Sequence, residues 1–170
     1  KLSEISGAKH ITFFIEEGVR SELVEIKWEG LSEANVSFVE DSFRKNVSRA
    51  IQRKYFVEKD IDKGVALVVE DLRAQGYLSA KLVAKSIQIV KSPKNTHRVK
   101  ATIQLVEGEQ TFLRIFSLNG QNFYTKEKIA EVLGLTEAKS FNPFRLDEGL
   151  SKLRALYHSA GFLDFRIKTR

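Results

Sequence analysis

Apolar residues recur at helical spacing twice along this chain. Ile61, Val65, Val68 and Leu72 step by four, three and four, and so do Leu146, Leu150, Leu153 and Tyr157. Each set falls on one face of an α-helix. The triplet Asp62-Lys63-Gly64 opens the first stretch and Asp147-Glu148-Gly149 the second. Each stripe stops at a glycine, Gly76 or Gly161, which can take the left-handed backbone that ends a helix. An aromatic residue and a leucine follow in both copies, Tyr77-Leu78 and Phe162-Leu163, and lead into strand-like sequence. Two such copies point to a repeated module.

A second pair of landmarks agrees. A strand-like run ends in Glu17-Gly18, with Gly30 twelve residues on; another ends in Glu107-Gly108, with Gly120 twelve residues on. The Glu-Gly landmark repeats at a spacing of 90 and the helix landmark at 85. The first copy therefore carries about five extra residues, near Tyr55–Asp60, where a loop tolerates them.

Read in order, His10–Glu16 alternates with Ile11, Phe13 and Ile15 on one face and predicts a strand. Glu22–Glu29 sets Val24, Ile26 and Trp28 against Glu25, Lys27 and Glu29, a strand with one wet face. Val36, Val39, Phe43, Val47 and Ile51 predict one amphipathic helix over Asn35–Arg53, and Asp60 is the expected N-cap of the next. Ser79–Lys91 reads as a strand whose phase slips. Ala80, Leu82 and Ala84 give way to Ile87 and Ile89, which predicts a bulge or a change of partner near Lys85-Ser86. Ser92-Pro93-Lys94-Asn95 is turn chemistry, and Val99–Val106 returns as its hairpin partner. In the second copy, Thr111–Asn119 predicts a strand, Thr125 and Gly134 bracket a helix, Asn142-Pro143 opens another, and Phe162–Lys168 starts a strand.

This order is β-α-α-β-β. The expected division is 1–18 as the end of a preceding unit, 19–108 as a complete unit, and 109–170 as a unit lacking its final strand. The fold class is α+β, each module a three-stranded mixed sheet covered on one face by two helices. No Gly/Ser/Pro-rich linker separates the units, so a stiff junction is expected.

Composition adds little. With 42% hydrophobic residues in 170, two modest cores are affordable. The absence of cysteine excludes disulfides and thiolate chemistry. No apolar run approaches the roughly 18 residues that span a bilayer. The net charge is +6, with 28 basic residues mostly intermixed with 22 acidic ones. The densest basic set is Arg44, Lys45, Arg49, Arg53 and Lys54, which reads as a solvated helix face or a contact for an acidic partner or anionic lipid.

Catalytic and metal chemistry is not legible. His10, His97 and His158 share no ligand spacing, and Asp60 and Asp62 lack the glycine and glutamate of a calcium loop. No nucleophile elbow, phosphate loop or zinc-protease motif occurs. The reading is a protein without catalytic residues, metal or cofactor. The RNA-binding KH fold also starts β-α-α-β-β but needs a Gly-x-x-Gly loop between its helices. Phe56-Val57-Glu58-Lys59 and Leu135-Thr136-Glu137-Ala138 offer none, so nucleic acid is not an expected partner.

The chain resembles tandem POTRA domains, the polypeptide-transport-associated modules of BamA-like outer-membrane β-barrel assembly and translocation proteins. The second copy carries the resemblance through Val106-Glu107-Gly108, Phe116-Ser117-Leu118-Asn119-Gly120, Leu146-Asp147-Glu148-Gly149-Leu150 and Gly161-Phe162-Leu163-Asp164. The first copy does so through Glu16-Glu17-Gly18, Ile26-Lys27-Trp28-Glu29-Gly30 and Gly76-Tyr77-Leu78-Ser79-Ala80. Glu29 departs from the asparagine often found there. The resemblance implies a periplasmic scaffold on the inner side of the outer membrane, held to it by a C-terminal barrel. It implies unfolded outer-membrane protein precursors and accessory assembly proteins as partners. It also implies an edge strand that accepts an added strand, which here is Ala80, Lys81, Leu82, Val83, Ala84, Lys85, Ser86, Ile87, Gln88, Ile89 and Val90. Lys81 and Lys85 would guard that edge against indiscriminate pairing. A POTRA module of a cell-division or organellar import protein is the alternative assignment.

Overall fold

The computed structural model of the chain describes residues 2–5, 8–92, 96–135 and 139–168. It opens with a hairpin, β1 (Leu2–Ile5) paired antiparallel with β2 (Ala8–Ile11). The strand predicted over His10–Glu16 does not continue beyond Ile11. No strand among the described residues pairs with residues 13–19, and Phe13, Phe14 and Ile15 are all exposed. An alternating run becomes a strand only when another strand satisfies its main-chain groups.

The first unit is built on β3 (Arg20–Glu29), α1 (Glu33–Asn46), the short α2 (Arg49–Gln52), α3 (Glu58–Ala74), β4 (Lys81–Ser92) and β5 (Thr96–Val106). Its sheet is mixed, with order β3-β5-β4. β5 is central, parallel to β3 and antiparallel to β4. The turn expected at Ser92-Pro93-Lys94-Asn95 lies mostly outside the described residues. Leu23, Ile26 and Trp28 of β3 and Val99, Ala101, Ile103 and Leu105 of β5 face the helices. Val39 and Phe43 of α1, with Ile61, Val65, Val68 and Leu72 of α3, complete the core. Each fully buried side chain of this size contributes roughly 1.5–3 kcal/mol. Trp28 meets Phe43 edge-on, ring centroids 5.3 Å apart.

Three local expectations need correction. The bulge of β3 falls at Val24, between Leu23 and Glu25, so Leu23 points inward where Val24 was expected. The helix drawn over Asn35–Arg53 breaks after Asn46. Val47 is extended and Ser48 caps α2, its hydroxyl accepting from the Ile51 N–H, yet Val47 and Ile51 stay buried. Hydrophobic period survives a break of this kind, so periodicity alone did not reveal it. Asp60 lies in the first turn of α3, and Val57 occupies the N-cap position.

The second unit contributes α4 (Lys126–Leu133) and α5 (Pro143–Ser159). Thr125 caps α4, accepting from the Lys128 N–H at 3.2 Å, and Gly134 ends it with φ 65°. Asn142 caps α5, accepting from the Arg145 N–H at 3.0 Å. The expected strands at Thr111–Asn119 and Phe162–Lys168 are not strands; the first makes one isolated bridge, Phe112 to Ser140. The core here is small and aromatic: Tyr157 stacks on Phe165 at 4.0 Å and meets Tyr124 edge-on at 5.1 Å.

The duplication is written in the hydrogen bonds. α3 and α5 each have 17 residues and begin 85 positions apart. After α3 the N–H groups of Gly76, Tyr77 and Leu78 donate to the carbonyls of Arg73, Leu72 and Gly76. After α5 those of Gly161, Phe162 and Leu163 donate to His158, Tyr157 and Gly161, the same bonds shifted by 85. Both turns need a left-handed glycine, Gly76 at φ 97° and Gly161 at φ 90°. Gly64 and Gly149 also correspond. A Cβ on Gly64 would lie 2.7 Å from Phe43 and Val47 atoms, and one on Gly149 would lie 2.6 Å from the Leu133 Cα. In both units the longer helix crosses its partner at a glycine.

The units meet where Thr111 donates its N–H to the Gly76 carbonyl at 2.8 Å and Gln110 donates through Nε2 to the Gln75 carbonyl at 2.8 Å. Phe141 in turn donates to the Thr111 carbonyl.

Candidate functional site: the edges of the sheet

Because β5 is central, β4 pairs on one side only among the described residues, and the other side of β3 carries just the short cover of residues 54–56. The candidate segment Ala80–Val90 therefore lies on an edge, with Ala80 buried just before the strand. The register shifts at Val83, between Leu82 and Ala84, rather than near Lys85-Ser86. Leu82 opposes Leu105, and beyond the bulge Lys85, Ile87 and Ile89 oppose Ile103, Ala101 and Val99. Directly opposed residues share a face, so the helix-side set is Leu82, Lys85, Ile87 and Ile89. Ala84 belongs to the outer face with Ser86, Gln88 and Val90. Small Ala84 counts as apolar on either face, so alternation alone does not place it.

Lys85 is thus not a free guard. Its ammonium bonds Glu58 at 2.8 Å and Asp62, both in the first half of α3. Those bonds, to Asp62 first and Glu58 second, hold the Lys85 pKa above its ordinary 10.5. Lys81 is exposed at the start of the strand. Leu82, Val83, Ile89 and Val90 are between 43% and 58% exposed, which leaves apolar surface on a strand with one unpaired side. The outer sheet face is otherwise polar, with Lys100 bonded to Glu25 at 2.7 Å and Lys27 to Glu29 at 2.8 Å.

On the other edge, residues 54–56 cover the start of β3. The Leu23 N–H donates to the Lys54 carbonyl at 2.8 Å and the Phe56 N–H to the Ser21 carbonyl at 3.1 Å, with an antiparallel bridge between Glu22 and Tyr55. Beyond that cover a groove of about 650 Å³ opens between β3 and α1–α2. Ile26, Trp28, Phe43, Val47 and Ile51 form its apolar lining, and Glu40, Arg44 and Lys54 are among its charged residues.

The basic set predicted from sequence is distributed over the last turn of α1 (Arg44, Lys45), α2 (Arg49) and the following turn (Arg53, Lys54). All five are exposed. Arg44 pairs with Asp41 at 3.1 Å; the other four make no ion pair among the described residues. Lys54 is the sole non-glycine residue with positive φ, 64°, among those described.

Glu107 is one residue whose role the sequence reading missed. It is 9% exposed, and its Oε1 accepts from the Ser32 N–H at 2.7 Å and the Ser32 hydroxyl at 3.2 Å. The Glu-Gly landmark therefore ties the end of β5 to the start of α1. Its partner lies 75 positions away, and only its recurrence in front of glycine marked it.

Among the described residues no group of three or more carboxylate, histidine or cysteine side chains converges as a metal site would, and no helix is long and apolar enough to cross a membrane.

A protein-family model described as POTRA, surface antigen variable number repeat, matches residues 115–170. No curated protein matches the chain. Among solved structures, the Haemophilus influenzae BamA POTRA3-5 crystal structure is 15% identical, with 92% of this chain and 55% of that one aligned at a TM-score of 0.46. The Omp85 N-terminal domain of Thermosynechococcus elongatus is also 15% identical, covering 85% of this chain and 54% of that one at 0.42. POTRA1-2 of Anabaena Omp85 is 16% identical, covering 89% and 87% at 0.43. The chain thus spans little more than half the length of the first two fragments. The family match is confined to residues 115–170, which include α4 and α5, and the β-α-α-β-β order is that of the first unit, outside the match. Through that match the chain carries a POTRA domain.

Proposed function

We propose that the chain is a non-catalytic, periplasmic scaffold of an outer-membrane protein assembly or translocation machine, and that it holds extended polypeptide by adding a strand to β4. In this reading residues 19–108 are one complete module, 109–170 a second without its last strand, and 1–18 the end of another. The observation that carries the reading is β4 itself, a 12-residue strand paired only with β5 among the described residues and exposing the apolar side chains of Leu82, Val83, Ile89 and Val90 toward its two ends. Main-chain pairing is indifferent to side-chain identity, so such an edge accepts many unfolded precursors in turn. Exposed Lys81 limits self-association. Accessory assembly proteins would use the same chemistry, and a barrel elsewhere in the full protein would hold the modules at the membrane.

The experiment is amide hydrogen exchange of β4 in the presence of an extended, alternating apolar–polar peptide and of the same peptide N-methylated at alternate residues. Protection over Lys81–Ser92 is expected with the first peptide and its loss with the second. No protection, or equal protection by both, would refute strand addition.

A further inference from the structure

We propose that these 170 residues associate head to tail, residues 8–17 of one copy entering the second unit of another as its central strand. This goes beyond the reading of β4 and does not depend on it.

Two complementary parts of one unit flank the first unit. The leading hairpin β1–β2 pairs in the register of β4–β5. Its pairs Leu2↔Ile11 and Ile5↔Ala8 are Ile87↔Ala101 and Val90↔Arg98 moved by 85 positions on one strand and 90 on the other. These are the spacings of the helix and Glu-Gly landmarks. By the same shift Ile11, Phe13 and Ile15 stand for Ala101, Ile103 and Leu105. The latter are at most 1% exposed in the core, whereas Ile11, Phe13 and Ile15 are 58%, 78% and 81% exposed. The α4–α5 pair has the opposite deficit, since no strand lies beyond β5 among the described residues. Leu146 and Leu150 are half-buried, while Ile61 and Val65, their counterparts in α3, are at most 2% exposed. One part presents an apolar strand without helices, and the other apolar helices without a strand.

The joint that would receive a second copy already exists inside the chain. The Leu113 N–H donates to the Lys139 carbonyl as Leu23 does to Lys54, and Phe141 donates to Thr111 as Phe56 does to Ser21. Ser21 therefore occupies the place of Thr111, the residue that donates to Gly76 at the end of α3. Gly161 is the counterpart of Gly76 and accepts from Leu163 as Gly76 does from Leu78. A carbonyl has two lone pairs, so Gly161 can also accept from Ser21 of an arriving copy. The same shifts set Phe13 opposite Leu118 and Ile15 opposite Ile167, both half-buried against the α4–α5 core. They also set Glu16 opposite Arg166. Residues 166–168 stand for 81–83 and residues 2–5 for 87–90, so the two copies do not compete for one place. Each addition leaves one donor and one acceptor free, so the copies form a ring or a growing chain.

Sedimentation velocity of the chain is expected to show mass rising with concentration in steps of 19.4 kDa, below about 1 mM. The donor variant Phe13→Asp/Ile15→Asp alters two exposed residues, so its fold is kept, and association should weaken about a hundredfold. Ile167→Asp blocks the acceptor. Each variant alone should be monomeric, and their equal mixture should stop at a dimer, where one intact donor meets one intact acceptor. A second measurement needs no acceptor variant. A synthetic peptide of residues 8–18, at about ten times its dissociation constant, should slow amide exchange of α5 in the donor variant about tenfold. The same peptide carrying the two aspartates should not. A chain still monomeric at about 1 mM, association undiminished in the donor variant, a mixture that grows past a dimer, or no protection by the parent peptide would overturn the proposal.

Discussion

The paired glycines give the most demanding test of the repeated architecture. Alanine at either position gains about 1 kcal/mol of helix propensity over glycine. Overpacking opposes that gain by roughly 1–3 kcal/mol, depending on what the new methyl meets. At Gly149 it meets main chain: the Cβ would lie 2.6 Å from the Leu133 Cα, 2.7 Å from its oxygen and 2.8 Å from its carbonyl carbon. Carbon atoms pack at about 3.5–4.0 Å, so α4 and α5 must part by nearly 1 Å. The cost falls at the top of the range, and Gly149→Ala is expected to destabilise the second unit by about 2 kcal/mol. At Gly64 the new methyl meets Phe43 Cε2 and Val47 Cγ1, both at 2.7 Å, so the adjustment falls on two core side chains and does not require two helix backbones to part. There the gain and the cost nearly cancel, and Gly64→Ala should cost at most about 1 kcal/mol. Amide hydrogen exchange of α3 and α5 measures both variants, a loss of 2 kcal/mol appearing as about thirtyfold faster exchange. Gly149→Ala with exchange as slow as the parent, or a larger penalty at Gly64, would refute the close-crossing argument.

Two further outcomes follow from the polar contacts. Glu107→Ala strands the Ser32 N–H at the start of α1 and should lower the urea stability of the first unit, read by Trp28 emission, by about 1–3 kcal/mol; Glu107→Gln, which still accepts, should cost less. Lys85→Met should loosen α3 from β4, at a cost of at most about 1 kcal/mol that shrinks with added salt. The folded-state pKa of Lys85 is raised, so its contribution is full below the unfolded-state value and is lost as pH rises through the folded one. The stability gap between parent and Lys85→Met should therefore be constant from neutral pH to about 10 and close above it, as urea titrations across that range would show.

Periodicity fixed the elements whose identity depends on neighbours in sequence. Both 17-residue helices, the caps at Thr125 and Asn142, the glycine turns and the order β-α-α-β-β were legible, because each is set within a few residues by propensity, capping and the spacing of apolar side chains. Pairing across the chain was not legible. Nothing local reveals that Lys85 faces α3, that Glu107 caps a helix 75 positions away, or that Leu23 replaces Val24 in the core. Each depends on register, and a single bulge reverses the faces of every residue beyond it. The two edges are likewise a property of strand order. The sequence could nominate Ala80–Val90 as a strand, but only the central placement of β5 leaves β4 with one unpaired side among the described residues, and β3 with an outer side covered at residues 54–56 alone. Edge exposure is a relation among three strands, and no stretch of any one of them encodes it alone.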